Sequence, residues 1–158
     1  LLIVSAKIQI PFWPVPLTMQ SAVVLMLPCL LGVRAGMLAI MTYLGLGAAG
    51  YPVFANTANA VMGLAYFTGP TGGYLLGFAA AGIMTGAIYE RFKAMKTPAL
   101  IGLMLAGHAV ILACGVAWLA YLSGVQQAIA LGLTPFVFGS VVKSALAAMC
   151  VKGLSRAK

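Results

Sequence analysis

Between its few charged positions this chain runs apolar over distances that match a bilayer, and that narrows its possible folds more than any other feature. The stretch from Pro98 to Leu122 holds no Lys, Arg, Asp or Glu. A spanning helix needs about 20 mostly apolar residues. In hydrocarbon, backbone N–H and C=O groups find no water, so spanning segments are helices or closed barrels. Hydrophobic residues make up 63% of the chain and charged residues 6%, against roughly 45–50% and about 25% in soluble domains. A soluble globular fold is excluded, and residues 1–158 read as a single integral membrane domain.

Six candidate spans follow: Leu1 to Ile10, Thr18 to Val33, Ala35 to Gly50, Gly72 to Tyr89, Pro98 to Leu122 and Pro135 to Val151. The expected fold class is an all-α bundle of six transmembrane helices. The first span is half the needed length, so the chain as given is expected to start inside that helix. Spans two and three are short and meet at Arg34, which predicts a tight helical hairpin. Span four follows Gly69-Pro70-Thr71-Gly72-Gly73, a turn-rich breaker. The first residues show neither a basic leader nor a small-residue cleavage site, so no cleavable signal peptide is expected.

The charges orient the bundle. Arg34 falls between spans two and three, Arg91, Lys93 and Lys96 between four and five, and Lys152, Arg156 and Lys158 after six. The opposite joints, Pro11 to Leu17, Tyr51 to Thr71 and Ser123 to Thr134, contain no Lys or Arg. By the positive-inside rule both termini are expected to be cytoplasmic. The net charge of +8 reflects nine basic residues against one acid, without the basic stripe interleaved with aromatics that nucleic-acid binding uses. Phe12 and Trp13 suit either interfacial anchoring or ligand stacking. Gly32/Gly36, Gly73/Gly77 and Gly82/Gly86 are small-xxx-small pairs, suited to close packing inside the bundle or against a membrane partner. Cys29, Cys114 and Cys150 show no disulfide framework or metal spacing.

Lys143 is the sharpest functional signal. It sits in the last apolar stretch, about 13 Å along the helix from Thr134. The only acid, Glu90, stands beside Arg91 in the sequence. Ionisable groups at such depth face a bundle interior or wet cavity and mark a substrate or ion path. Phe136, Ser140, Lys143 and Ala147 recur at helical spacing on one face. Thr18 reads as a helix N-cap or a ligand contact, and Gln20 as an amide that can meet a polar ligand edge. Asn56 and Asn59 are either ordinary loop residues or recognition groups. The glycines Gly69, Gly72 and Gly73 allow close backbone approach to a ligand. His108 reads as a hydrogen-bonded packing residue or, alternatively, a proton relay; Lys7 faces either headgroups or the cavity.

The sequence leaves very little catalytic machinery. There is no GxxxxGK[ST] loop and no HExxH, and one acid provides no pair for acid–base work. No enzyme activity, cofactor or metal is expected, and any energy coupling must come from another subunit.

Ile8-Gln9-Ile10-Pro11 through Pro14-Val15-Pro16-Leu17-Thr18-Met19-Gln20 resembles the first-loop signature of the BioY family, the biotin-binding S components of energy-coupling factor (ECF) transporters. Gly50 to Ala55 and Gly69 to Phe78 are similar to its next two blocks, and Pro135-Phe136 through Lys143 and Ala147 to its final helix. The resemblance runs in order over nearly the whole chain. It implies the six-helix S-component fold in the bacterial cytoplasmic membrane and capture of biotin from outside. It also implies partnership with a transmembrane coupling protein and two cytoplasmic ATPases. The substrate-binding set expected from residues and resemblance together is Thr18, Gln20, Phe54, Asn56, Asn59, Gly69, Thr71, Gly73, Tyr74, Phe136, Ser140 and Lys143. One departure stands out: where the family pattern P-F-x-x-G-D-x-x-K has an acid, this chain has Ser140, a weaker acceptor. The competing readings are a solitary biotin facilitator, a small channel, or an S component for another vitamin. A channel calls for a continuous polar lining, which these apolar stretches do not offer.

Overall fold

The computed structural model describes residues 1–11, 13–55, 62–92 and 95–156. Phe12, Asn56, Asn59, Lys93 and Lys158 lie outside the described residues. The elements in order are α1 (Leu2–Lys7), β1 (Gln9–Ile10), β2 (Leu17–Thr18), α2 (Gln20–Leu31), α3 (Val33–Ala48), α4 (Leu64–Thr68), α5 (Gly72–Arg91), α6 (Thr97–Ser123), α7 (Val125–Gln127), a π-helical segment (Ala128–Leu133) and α8 (Thr134–Arg156). By length and composition α5, α6 and the stretch Val125–Ser155 can cross a membrane, while α2 and α3 are shorter apolar helices.

Two joints differ from the sequence expectation. The helix anticipated from Leu1 to Ile10 ends at Lys7, and Gln9–Ile10 pairs antiparallel with Leu17–Thr18, in the register Gln9 with Thr18 and Ile10 with Leu17. Pro11 disfavours helical backbone at Ile10, so the segment extends. The uncharged joint Ser123 to Thr134 is mostly helix rather than loop. Gly124, at φ 87°, breaks α6, and the chain winds on through α7 and the π-segment into α8. Pro135 has no N–H to give the preceding turn, and a wider π-turn absorbs the mismatch. Thr134 Oγ1 donates to the Ile129 carbonyl at 3.0 Å, and Tyr74 Oη to the Gly132 carbonyl at 2.8 Å.

α5 is the central helix, packing on α6 along one side and on α2 and α3 along the other. Small residues permit the approach. A Cβ at Gly73 would stand 2.3 Å from Trp118 Cβ, and one at Gly77 2.9 Å from Ile111 Cα, so both seat α5 on α6. Pro28 in α2 is met from two sides: a Cβ at Gly36 would lie 2.4 Å from its Cα, and one at Gly86 2.6 Å from its Cβ. These glycine pairs therefore serve contacts within the chain.

The two ends of the bundle differ chemically. At one end Glu90 Oε1 accepts the Val33 N–H at 2.7 Å, capping α3, and Lys152 Nζ donates to the Met95 carbonyl at 2.8 Å. Glu90 thus belongs to the last turn of α5, at the end where Arg34, Arg91 and Lys96 also cluster. At the other end Lys7 Nζ donates to the Pro52 and Phe54 carbonyls at 3.0 and 2.9 Å, and Trp118 Nε1 to the Gly69 carbonyl at 2.9 Å. These bonds fasten the segment between α3 and α5 over the bundle.

Candidate functional site

Beneath that segment lies a small cavity of about 50 Å³, below the roughly 300–1,000 Å³ of small-ligand sites. α5 contributes Tyr74, Leu75 and Phe78; α6 contributes His108, Ile111 and Leu112; α8 contributes Phe136, Ser140 and Lys143. The first extended ribbon and the start of α2 supply Thr18, Gln20 and Ser21. The walls are thus largely apolar, with polar groups gathered where α2 and α8 face each other.

Aromatic rings form the roof. Phe54 is 1% exposed. It stacks on Tyr66 at 4.7 Å and meets Tyr43 and Phe67 edge-on at 5.3 and 5.6 Å. Tyr66 Oη donates to the Ala55 carbonyl at 2.9 Å, tying the short helix α4 to the roof. Burial pushes the Tyr66 phenol up from its ordinary pKa, while the hydrogen bond with Thr71 pulls the other way. On the far wall Tyr74 stacks on Phe136 at 5.8 Å. The Gln20 amide is held on both sides: Thr18 Oγ1 donates to its oxygen at 3.2 Å, and its nitrogen donates to Tyr43 Oη.

Lys143 is 8% exposed, and its ammonium donates to the Thr18 carbonyl at 3.1 Å and to Ser21 Oγ at 3.0 Å. Ser21 Oγ also lies 3.2 Å from His108 Nε2. His108 Nδ1 faces the Met104 carbonyl at 3.0 Å and Ser144 Oγ at 2.9 Å. Lys143 therefore has partners, but all are neutral. Ser140 is buried at the cavity wall.

Of the sequence-expected site, Thr18, Gln20, Phe54, Thr71, Tyr74, Phe136, Ser140 and Lys143 line this one cavity. Gly69 and Gly73 do not. The Gly69 carbonyl accepts the Trp118 indole N–H, and Gly73 is pressed against Trp118 and the Cys114 carbonyl. At Gly73 the missing side chain makes room for α6, while at Gly72 it makes room for the Phe67 carbonyl of α4. It follows that Gly73→Val and Gly86→Val both force atoms apart at helix crossings. Sequence reasoning overlooked Ser21 and Ser144. Ser144 stands one turn beyond Ser140 on α8, a spacing that could have drawn it in. Ser21 carried no signal beyond its place beside Gln20. His108, read as a packing residue or relay, is buried, hydrogen-bonded and at the cavity wall.

Comparison with known proteins places these features in context. A family model described as the BioY family matches residues 1–158. The chain is 38% identical over 157 residues to the biotin transporter BioY of Thermotoga maritima, covering 99% of this chain and 90% of that protein. It is 38% identical over 151 residues to the probable biotin transporter BioY of Pyrococcus horikoshii, covering 96% and 87%. A crystal structure of the S-component for biotin from an ECF-type ABC transporter superposes with a TM-score of 0.84 at 26% identity, covering 98% of this chain and 85% of that one. The shared architecture is that of an all-helical, multi-pass membrane protein.

Proposed function

The chain belongs to the BioY family, and on that premise we propose that it binds biotin as the S component of an ECF-type transporter, taking it up from the outer face. The observation that carries this reading is an apolar cavity holding one ammonium and no acid. An ammonium has three N–H donors. Lys143 spends two on Thr18 and Ser21, and the third has no acceptor among the described residues. A ligand oxygen entering the cavity completes the set. Biotin matches the chemistry of the lining, with its apolar tail, one carboxylate and rigid ureido ring. The names of the relatives support the same ligand.

The working arrangement follows from the charges and from what the sequence lacks. The end carrying Arg34, Arg91, Lys96 and Lys152 faces the cytoplasm under the positive-inside rule. The cavity then opens outward beneath the Phe54 roof. With no phosphate-binding loop in the sequence, energy comes from a transmembrane coupling protein and cytoplasmic ATPases. Without an acid at position 140, recognition of the ureido N–H groups rests on neutral acceptors such as Ser140 Oγ.

Lys143→Met tests the reading, since it keeps bulk and deletes the charge. Biotin binding to the purified variant is expected to weaken by roughly 1.5–3 kcal/mol, the scale for a hydrogen bond to a charged group. Unchanged affinity would refute the contact. Biotin amide then locates it: if the Lys143 effect vanishes with the amide, the partner is the carboxylate; if it persists, the ureido oxygen.

A further inference from the structure

We infer that His108 is a positioning residue for ligand binding, holding the Lys143 ammonium toward the cavity through the hydroxyl of Ser21. This rests on the reading that Lys143 meets the ligand.

The Met104 carbonyl, 3.0 Å from His108 Nδ1, can only accept, so Nδ1 carries the proton. The Ser144 oxygen, 2.9 Å away on α8, shares it. Nε2 of the neutral ring is then an acceptor, and the group facing it at 3.2 Å is the Ser21 hydroxyl. With its proton given to Nε2, Ser21 Oγ presents lone pairs to Lys143 Nζ at 3.0 Å. Each group has one role, and the sequence of bonds reads in one direction: Lys143 N–H to Ser21 O–H to His108 Nε2.

A second observation says why such a device is useful. Lys143 also borders a separate apolar groove between the β-ribbon and α8, bounded by Leu17, Met19, Val142 and Leu146. Its four-carbon stem is flexible, so the side chain has two spaces to occupy. The Ser21 oxygen is the side-chain acceptor that draws the ammonium to the cavity side, and His108 fixes which way that hydroxyl points. Three helices, α2, α6 and α8, contribute one link each. A histidine serving packing alone would not need an acceptor aimed at the hydroxyl that receives the lysine.

The test is a double-mutant cycle in biotin affinity, measured by equilibrium binding to purified protein. His108→Asn reaches only the Nδ1 position and removes the acceptor at Nε2. His108→Gln carries an amide to the Nε2 position and can replace it. With Lys143 present, His108→Asn is expected to weaken binding about tenfold, the worth of one hydrogen bond, and His108→Gln to stay within about twofold. In the Lys143→Met background neither change should shift affinity by more than about twofold, since coupled residues are non-additive. Equal losses in both backgrounds would mean a purely structural role and overturn the inference. So would an unaffected His108→Asn, or a His108→Gln no better than His108→Asn. Should His108→Asn fail to fold, Ser21→Ala deletes the next link and carries the same expectation in both backgrounds. Failure of the unaltered protein to bind biotin would instead overturn the functional reading.

Discussion

Gly115 in α6 lies flat against the ring of Tyr74, and replacing it with alanine gives the most direct reading of how packing shapes the cavity. A Cβ there would stand 2.3 Å from Tyr74 Cδ1 and Cε1 and 2.4 Å from Cγ. To restore ordinary contact the ring must retreat by about 1 Å. Its freedom is small: Tyr74 is 4% exposed, stacked on Phe136 at 5.8 Å and bonded to the Gly132 carbonyl at 2.8 Å. Overpacking in a close-fitted core costs about 1–3 kcal/mol, and losing the Tyr74 hydrogen bond adds about 1 kcal/mol. The expected destabilisation of Gly115→Ala is therefore about 2–4 kcal/mol. Because Tyr74 and Phe136 both line the cavity, biotin affinity should fall with it. Gly102→Ala, on the same helix with nothing within 4 Å of the added methyl, is the control. It should change stability by no more than about 1 kcal/mol and leave affinity alone. Thermal unfolding in detergent and equilibrium biotin binding read both quantities. If Gly115→Ala behaved like Gly102→Ala, the packing argument for this wall would fail.

Other perturbations separate the two ends of the bundle. Glu90→Ala removes the acceptor for the Val33 N–H at the start of α3; it should cost about 1 kcal/mol of stability with biotin affinity unchanged, and an affinity loss would show that the ends are coupled. Tyr66→Phe strips the hydroxyl from the Ala55 carbonyl; losing that buried bond should cost about 1 kcal/mol and speed biotin release from under the roof, so an unchanged release rate in stopped-flow or filter assays would count against Phe54 and Tyr66 as a cover.

Much of this was legible in the sequence because bilayer physics leaves few choices. The long apolar stretches announced α5, α6 and α8, whose ends fall within a few residues of expectation. Arg34 lies two residues past the Gly32 corner of the predicted α2–α3 hairpin. A lysine at helix depth without a nearby acid drew attention to the wall that does border the cavity. What escaped was set by contacts between distant parts of the chain. His108 and Ser144 are 36 positions apart, and Lys143 and Ser21 are 122 apart; no local pattern joins them. Glycine permits close approach without saying what approaches, and at Gly73 the neighbour is Trp118. The β-ribbon was missed because an apolar run of ten residues reads alike as strand or helix, and Pro11 decides against helix only once the chain is seen to turn.

Uptake by the purified protein in sealed liposomes tests the central claim most directly. On the proposed reading, in which energy comes from partner subunits, the chain should bind biotin yet fail to concentrate it inside, even under an imposed proton gradient. Adding the coupling protein and its ATPases should then give accumulation that depends on ATP. Concentrative uptake by this chain alone would contradict the account and identify a self-sufficient transporter.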